Sequence, residues 1–433
     1  MVSEQLLSLV ATEEHDRIVR YARAWQLYEG NFPRTLKVRP GQPDDNVTAN
    51  FVRVIADAAV AFLFGREVSF EISETADTDA EQFLQQVWEA NNKMALLSNA
   101  ALNGALCGHV FLKILPEAPF PRLVVLDPAT VTVQWEPKDF HVVRRYIISY
   151  TARDPDTEQI LAYREVIERD GAYWRIMEFE SVGDATRWQI VGSELWRWDF
   201  PPIVDCQNLP LPNSYYGQPD ITEDIINLNT AINFLLSNMS RIVRYHAHPR
   251  IWAKGVAAAQ LNVGIDEAIL LPSPEASLNV LEMRGDLGNS IELYLRLKEI
   301  VHEASRTPEV ALGKLDKVGA ISGIALRILY QPILQKTESK RRLYGAMLQQ
   351  LNRRLLAMAG FGNDVKVNVH WPELVEADDA ELAKTAVLWQ QLGVSEDTIL
   401  RRLGFDPEVE REKRELNSQS LGEHILTAFE RGQ

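Results

Sequence analysis

Apolar residues recur every three or four positions over much of the first hundred residues, which is the spacing of an amphipathic helix. The pattern predicts four helices there, at 4–29, 50–64, 80–91 and 94–107. Gly65 directly follows the second of them, as expected of a residue that ends a helix. The chain therefore begins with a helical section.

Between residues 109 and 198 the pattern changes to alternation with period two, which is typical of strands. The predicted strands are 109–115, 122–127, 130–135, 142–151, 159–168, 172–180 and 189–198. Asp170-Gly171 separates two of them and predicts a two-residue hairpin turn. We therefore expect an antiparallel sheet or partial barrel of about seven strands, followed by a proline-rich connector at 201–217.

A stripe of apolar residues with alternating spacings of four and three marks a helix at 220–245. Its members are Ile221, Ile225, Leu228, Ile232, Leu235, Met239 and Ile242. A compact segment with predicted strands at 269–271 and 278–281 follows, and then a second helix at 290–305. Two helices with such narrow apolar stripes bury little surface between themselves, so we expect them to pack against further copies of the chain.

The longest predicted helix runs from Ser322, as its N-cap, to Met358, and Pro332 is expected to kink it. Six basic residues follow the proline and are expected on a solvated face, with ion pairs between subunits as the alternative. These are Lys336, Lys340, Arg341, Arg342, Arg353 and Arg354. A strand at 365–370 and helices at 377–392 and 395–403 complete the prediction.

Composition and charge narrow the classes of function. The chain has 433 residues, with 45 lysines and arginines against 60 acidic residues and a formal net charge of −15. Such a length suggests about three structural units, and such an acidic balance disfavours a protein that grips nucleic acid electrostatically. Two cysteines exclude a disulfide framework, and neither a secretory signal nor a membrane span is visible, so we expect a soluble protein of a reducing cytoplasm.

Motifs for catalysis are weak. Neither a phosphate-binding glycine loop nor the glycine-flanked serine of many hydrolases is present. His246 and His248 could share a metal on a strand, but they lie at a predicted helix end, where imidazolium groups favour the helix dipole. Glu136-Pro137-Lys138 and Asp364-Val365-Lys366 supply half of a nuclease motif. No metal site and no cofactor is predicted, and a metal-dependent phosphodiesterase that uses Asp364, His246 and His248 stays an alternative.

Four short motifs follow one another along the chain in a distinctive order. They are Asn50, Ile55, Asp57, Phe62, Leu63 and Gly65; Pro212 to Asp220; Thr307-Pro308-Glu309 followed by Ile321-Ser322-Gly323-Ile324-Ala325-Leu326; and Val394 to Leu400. In order and spacing they resemble the tailed-bacteriophage portal proteins, especially the SPP-one-like branch, over nearly the whole chain. Glu67 departs from that pattern, which has a proline two residues after the glycine.

This resemblance implies an α+β portal fold and a ring, usually a dodecamer, around a DNA channel. It further implies a division of the chain into named parts. These are an antiparallel β-rich wing (1–215 and 321–375), two stem helices (216–248 and 287–306), a small α/β clip (249–286), a tunnel loop (307–320) and a helical crown (376–433).

The resemblance also assigns roles to individual residues, with no catalytic residue among them. The tunnel loop would bring Glu309, Gly313, Lys314, Asp316, Lys317 and Gly319 toward DNA. Pro332 would kink the long helix, and the stem would pack through Ile225, Leu228, Ile232, Leu235, Met239 and Ile242. The clip would present Trp252, Lys254, Asp266 and Glu267 to other proteins.

The implied function is a conduit at the capsid vertex for DNA packaging and ejection, assembled in the host cytoplasm. Its expected partners are other copies of the chain, double-stranded DNA, the terminase large subunit, the major capsid and scaffolding proteins, and a head-completion adaptor, with no membrane. Another ring-forming virion protein is a further alternative.

Overall fold

The computed structural model describes residues 12–38, 40–41, 43–72, 78–155, 157–182, 187–247, 250–254, 275, 277–281, 287–313, 323–362, 365–374, 379–402, 407, 409–411 and 413. The chain divides into two compact units. The first comprises residues 1–316 and 329–372, and the second comprises 317–328 and 373–433.

Four helices open the first unit close to their predicted positions, and residues 4–11 of the first predicted helix lie outside the described residues. The four helices are α1 (Thr12–Tyr28), α2 (Phe51–Phe64), α3 (Thr78–Ala90) and α4 (Lys93–Cys107). Asn50 caps α2, because its side chain accepts a hydrogen bond from the Arg53 amide. Gly65 ends α2 with φ −70°, so this glycine does not adopt the left-handed conformation that ends many helices.

The β-rich region forms two sheets, so the prediction of one sheet or barrel is wrong. A five-stranded antiparallel sheet has the order β4 (Val131–Glu136), β5 (Asp139–Arg153), β6 (Ile160–Asp170), β7 (Tyr173–Val182), β8 (Gln189–Trp196). A three-stranded sheet has the order β3 (Arg122–Leu126), β2 (His109–Leu115), β9 (Ile203–Gln207). The pattern missed β9 because it lies in the proline-rich connector, yet Ile203 and Val204 are 0% and 1% exposed and pair with β2.

The predicted hairpin is confirmed. Asp170 of β6 pairs with Tyr173 of β7, and Gly171 in the turn has φ +64°. That left-handed conformation is available to glycine without steric cost, which explains the residue at this position.

A partly buried carboxylate joins the two sheets. Asp205 of β9 accepts hydrogen bonds from the hydroxyls of Tyr146 on β5 (2.9 Å) and Tyr215 (2.6 Å), and it lies 2.9 Å from Nε2 of His109 on β2. Burial alone would raise the pKa of Asp205, but these partners outweigh it and hold the pKa below its usual range. The sheets are therefore linked by a polar contact that the apolar pattern does not reveal.

The remaining elements follow in chain order. They are β1 (Ser69–Ile72), α5 (Glu223–Ala247), β10 (Arg250–Lys254), β11 (Ser277–Leu281), α6 (Leu287–Ser305), a 3-10 turn (Glu309–Leu312), α7 (Gly323–Ala359), β12 (Val367–His370), α8 (Asp379–Gln391) and α9 (Glu396–Arg402). The strand β10 was not predicted, whereas the strand predicted at 269–271 and the cap predicted at Ser322 lie outside the described residues. The strands β1 and β12, almost 300 residues apart, pair with each other, as do β10 and β11.

The core of the first unit is built around α7. Tyr344, Leu348, Leu351 and Leu355 are 0% exposed and belong to one apolar cluster with residues of α2, α4 and β2. Each such leucine contributes about 1.5–3 kcal/mol by leaving water. In the second unit, Ser395 caps α9 by accepting a hydrogen bond from the Thr398 amide.

Candidate functional site

One buried carboxylate marks the place where the segment before α5 meets α7. Asp220 lies three residues before α5, and its side chain is 0% exposed. It forms ion pairs with Lys336, at 2.9 Å, and with Lys340, whose side chains are 4% and 2% exposed. Both lysines lie on α7, one and two turns after Pro332. The long helix α7 is thereby held to the segment that leads into α5.

The same group of residues also reaches the end of α6 and the residue that follows β9. Lys336 also donates to the carbonyl of Ser305, the last residue of α6, at 2.8 Å. Asn208 donates to Asp220 at 3.1 Å and accepts from the hydroxyl of Tyr344 on α7 at 3.0 Å. We name these six residues, Asp220, Lys336, Lys340, Ser305, Asn208 and Tyr344, the Asp220 cluster.

The charges of the Asp220 cluster depend on one another. Burial alone would raise the pKa of Asp220, but the two ammonium groups outweigh it and hold this pKa far below its usual range. The carboxylate is therefore ionised at any physiological pH. One negative and two positive charges are buried together, away from water. Loss of the carboxylate would therefore leave two buried ammonium groups without a counter-charge.

The basic residues after Pro332 are therefore not a solvated face, and that prediction is wrong for most of them. Arg342 and Arg353 are exposed as expected, but Arg341 and Arg354 are only 9% and 8% exposed, and the two lysines are buried. Arg341 donates to the carbonyl of Pro372, and Arg354 donates to two carbonyls in the segment that leads into β9. Helical spacing could not distinguish these residues, because both faces of α7 carry basic side chains.

The first residues of the predicted tunnel loop are ordered against α6. Glu309 begins the 3-10 turn and forms an ion pair with Lys298, and His302 Nε2 lies 3.4 Å from the same carboxylate. The other ring nitrogen of His302 lies 2.8 Å from the carbonyl of Thr307. Gly313 ends the turn with φ +82°. The residues 307–309 are thus attached to α6.

Several predicted site residues fall outside the described residues. These are Lys314, Asp316, Lys317 and Gly319 of the loop, and Asp266 and Glu267 of the clip. Trp252 and Lys254 lie on β10, opposite Asn279 and Ser277 of β11, and Lys254 is exposed.

The predicted stem residues divide into two groups. Ile225 and Ile232 are 1% and 0% exposed and belong to the core of the protomer itself, together with Val301 of α6. The others are partly buried, and these are Leu228, Leu235, Met239 and Ile242. The apolar residues of the two helices that do face solvent are Phe234 and Val243 on α5 and Ile291, Leu293 and Leu295 on α6, each between 47% and 56% exposed.

A polar stripe on α5 was missed by the apolar pattern. Asn229, Asn233 and Ser237, spaced by four residues, accept hydrogen bonds from the amides of Phe51, Ala49 and Val47. Two further residues of α5, Arg241 and Arg244, pair with Asp45. The segment before α2 is therefore bound along α5. The four-residue repeat of short polar side chains in an apolar helix is the signal that could have predicted this.

Residues considered for a metal site do not come together in the described part of the chain. Among the described residues, no group of three or more His, Cys, Asp or Glu side chains could hold a metal ion. His248 and Asp364 lie outside those residues. None of the described helices is long and apolar enough to cross a membrane.

Comparison with known proteins gives the family. The family described as "Phage portal protein, SPP1 Gp6-like" matches residues 8–422. No curated protein matches the sequence.

Solved structures resemble the fold. A chain of "Neck of empty GTA particle computed with C6 symmetry" is 15% identical, with a TM-score of 0.52 over 82% of this chain and 89% of that chain. A chain of "Virion of native gene transfer agent (GTA) particle" is also 15% identical, with a TM-score of 0.46 over 90% of this chain and 99% of that chain. At such identity the likeness concerns the fold alone. The family match, in contrast, runs from the N-terminal helices through the Asp220 cluster and beyond α9, and the chain therefore belongs to the SPP1 Gp6-like family of phage portal proteins.

Proposed function

We propose that copies of this portal protein close into a ring, with twelve subunits as the resemblance implies, around a channel for double-stranded DNA. The apolar outer surface of the stem helices carries the proposal of a ring. Phe234, Val243, Leu293 and Leu295 are each about half exposed on α5 and α6, two helices that already pack together in one apolar cluster. A second copy that covers these side chains would remove their apolar area from water.

The charge of the chain suits a channel through which DNA slides. Twelve copies with a formal charge of −15 each would carry about −180 charges in total. A mostly acidic wall repels phosphate groups, so DNA would pass without being held. Lys314 and Lys317 in the loop would then be the cations nearest to the DNA backbone.

The Asp220 cluster supports a mechanical role for the loop at 307–320. The base of this loop is paired to α6 through Glu309 and Lys298, and α6 ends at Ser305, which accepts from Lys336 of α7. A displacement of the loop would thus move α6 and α7 as one body. We propose that this connection couples the loop to the wing during DNA passage.

The remaining parts are assigned to partners by the resemblance. The clip, which includes Trp252, Lys254, Asp266 and Glu267, would face the terminase large subunit during packaging and a head-completion adaptor afterwards. The wing would contact the major capsid and scaffolding proteins, and residues 376–433 would form a crown inside the capsid. Assembly would take place in the host cytoplasm before the ring becomes part of the virion.

The purified protein is expected to form rings of about a dozen subunits. Substitution of two exposed apolar residues on α5 should prevent ring formation. The double substitution Phe234→Asp and Val243→Asp places two charges on a surface that would be buried between subunits. Native mass spectrometry and negative-stain imaging should show rings for the wild type and at least tenfold fewer for the variant.

The matched control is Val19→Asp on α1, because Val19 is 51% exposed and Val243 is 52% exposed. The control should assemble normally, and all three proteins should unfold at similar temperatures. Rings from the double variant would exclude this surface from the ring contact, whereas a wild type that stays monomeric while folded would contradict the ring itself.

Deletion of residues 312–318 should leave ring assembly intact and impair DNA packaging or retention. The deletion removes half of the predicted tunnel loop but keeps Glu309 and its ion pair with Lys298. Packaged DNA per particle, measured by nuclease protection, would report the effect, and ring mass would report assembly. Packaging at the wild-type level would contradict the role of the loop.

A further inference from the structure

A groove in the first unit lies between β1 and the helices α3 and α4. It encloses about 930 Å³. Its floor is apolar, because Phe70 of β1 stacks on the buried Trp88 of α3 with ring centroids 5.1 Å apart, beside the buried Leu84. Such a floor offers a pocket for an apolar side chain of a ligand.

The rim of the groove is acidic. Glu67, Glu71, Glu81 and Glu89 line it and are exposed, against the single cation Lys93. Lys93 Nζ lies 2.6 Å from Glu67 and compensates that carboxylate, and His370 Nε2 on β12 lies 2.6 Å from Oε2 of Glu71. The remaining carboxylates, Glu81 and Glu89, give the groove an excess of negative charge over a floor that is apolar.

The third feature is the edge of a sheet. β1 pairs with β12 on one side, and within the described residues no strand pairs with its other side. No residue of β12 lines the groove, whereas Ser69, Phe70, Glu71 and Ile72 of β1 all do. The open edge of β1 thus faces the groove. The Ile72 amide donates to Oε1 of Glu81 at 3.4 Å, and an added strand would take the place of that side chain.

We propose that this groove binds an extended basic segment of a partner protein, which adds to β1 as a third strand. Backbone hydrogen bonds to β1 align the segment, an apolar side chain rests on Phe70 and Trp88, and alternating lysines or arginines meet Glu71, Glu81 and Glu89. DNA does not fit, since its phosphates repel the rim. A second copy of the chain fits poorly, because its formal charge is −15.

A synthetic peptide tests this directly on the full-length protein. The probe is a fluorescein-labelled ten-residue peptide of alternating lysine and valine, and its binding is followed by anisotropy. Saturable binding that weakens with added salt is expected. The double substitution Glu71→Lys and Glu89→Lys should weaken the affinity at least tenfold. The control pair Glu117→Lys and Glu194→Lys, two exposed glutamates outside the groove, should change it less than twofold.

Backbone-methylated peptides test strand addition without any change in the protein. In an added strand, alternate amides face β1, so N-methylation of one alternate set should abolish binding and methylation of the other set should be tolerated. An equal loss of affinity for both methylated peptides would contradict strand addition. Absence of saturable binding, or equal weakening by the control pair, would overturn the site. A change of oligomeric mass in the groove variant without peptide binding would assign the groove to a second copy and also overturn the proposal. None of these outcomes depends on ring formation by the wild type.

Discussion

Asp220→Asn is expected to lower the free energy of unfolding by about 3–5 kcal/mol, the cost of removing one partner of a buried ion pair. The substitution keeps the shape of the side chain but leaves Lys336 and Lys340 buried without a carboxylate. Urea denaturation of the purified protein would measure the effect. The control is Asp170→Asn, because Asp170 pairs with Arg175 at the surface, where its side chain is 50% exposed and the loss should be below about 1 kcal/mol.

The substitution Asp220→Asn should also change how the free energy of unfolding depends on pH in the acid range. Asp220 has a lower pKa in the folded protein than the unfolded value of about 3.9, so its contribution is complete above that value and is lost as the pH falls toward the folded pKa. Below about pH 4 the wild type should therefore lose stability faster than Asp220→Asn. Addition of Lys340→Met to Asp220→Asn should recover part of the loss, since one unpaired buried charge disappears. A double variant no more stable than the single one would contradict the charge argument.

Gly104→Ala is expected to destabilise the protein by about 1–3 kcal/mol through overpacking, although alanine favours a helix. Gly104 lies in α4, and a Cβ atom at this position would stand 2.0 Å from the hydroxyl oxygen of Tyr344 and 2.9 Å from Oδ1 of Asn208. Both neighbours belong to the Asp220 cluster and are 0% exposed, so neither side chain has room to withdraw. Thermal unfolding would show a lower Tm.

Gly345→Ala on α7 is the matched control. A Cβ atom there would meet its nearest neighbour, Nε1 of Trp371, at 3.5 Å, an ordinary contact, so alanine should be neutral or raise stability by up to about 1 kcal/mol. Adding Tyr344→Phe to Gly104→Ala removes the atom that clashes first and should restore part of the loss. An unchanged Tm for Gly104→Ala, or no recovery in the double variant, would show that the cluster tolerates displacement.

The Asp220 cluster is also where prediction from sequence was least complete. The Pro212 to Asp220 motif and the long helix were both recognised, but the ion pairs between them were not. Lys336 and Lys340 are separated from their carboxylate by more than a hundred residues, and their spacing on α7 is the same whether they face water or a buried acid.

The sequence by itself determined the local structure and the family. Periodicity, caps and turn residues predict the bounds of α2, β2, α5 and α7 and the hairpin at Gly171. Such signals suffice for these features because each one depends on neighbours only a few positions away in the sequence. The order of the short motifs likewise indicated a portal protein, since each motif consists of residues that are close together in the sequence.

Only the tertiary structure decided which face of each element is covered. It divided the strands into two sheets and joined them through Asp205, left Phe234 and Val243 exposed on a helix whose Ile232 is buried, and enclosed the two lysines of α7. Burial and charge pairing arise between segments that are distant in sequence. A local pattern of apolar and polar positions therefore cannot specify them, because the same lysine is stable in water or beside a buried carboxylate, and the choice depends on which residues the fold brings next to it.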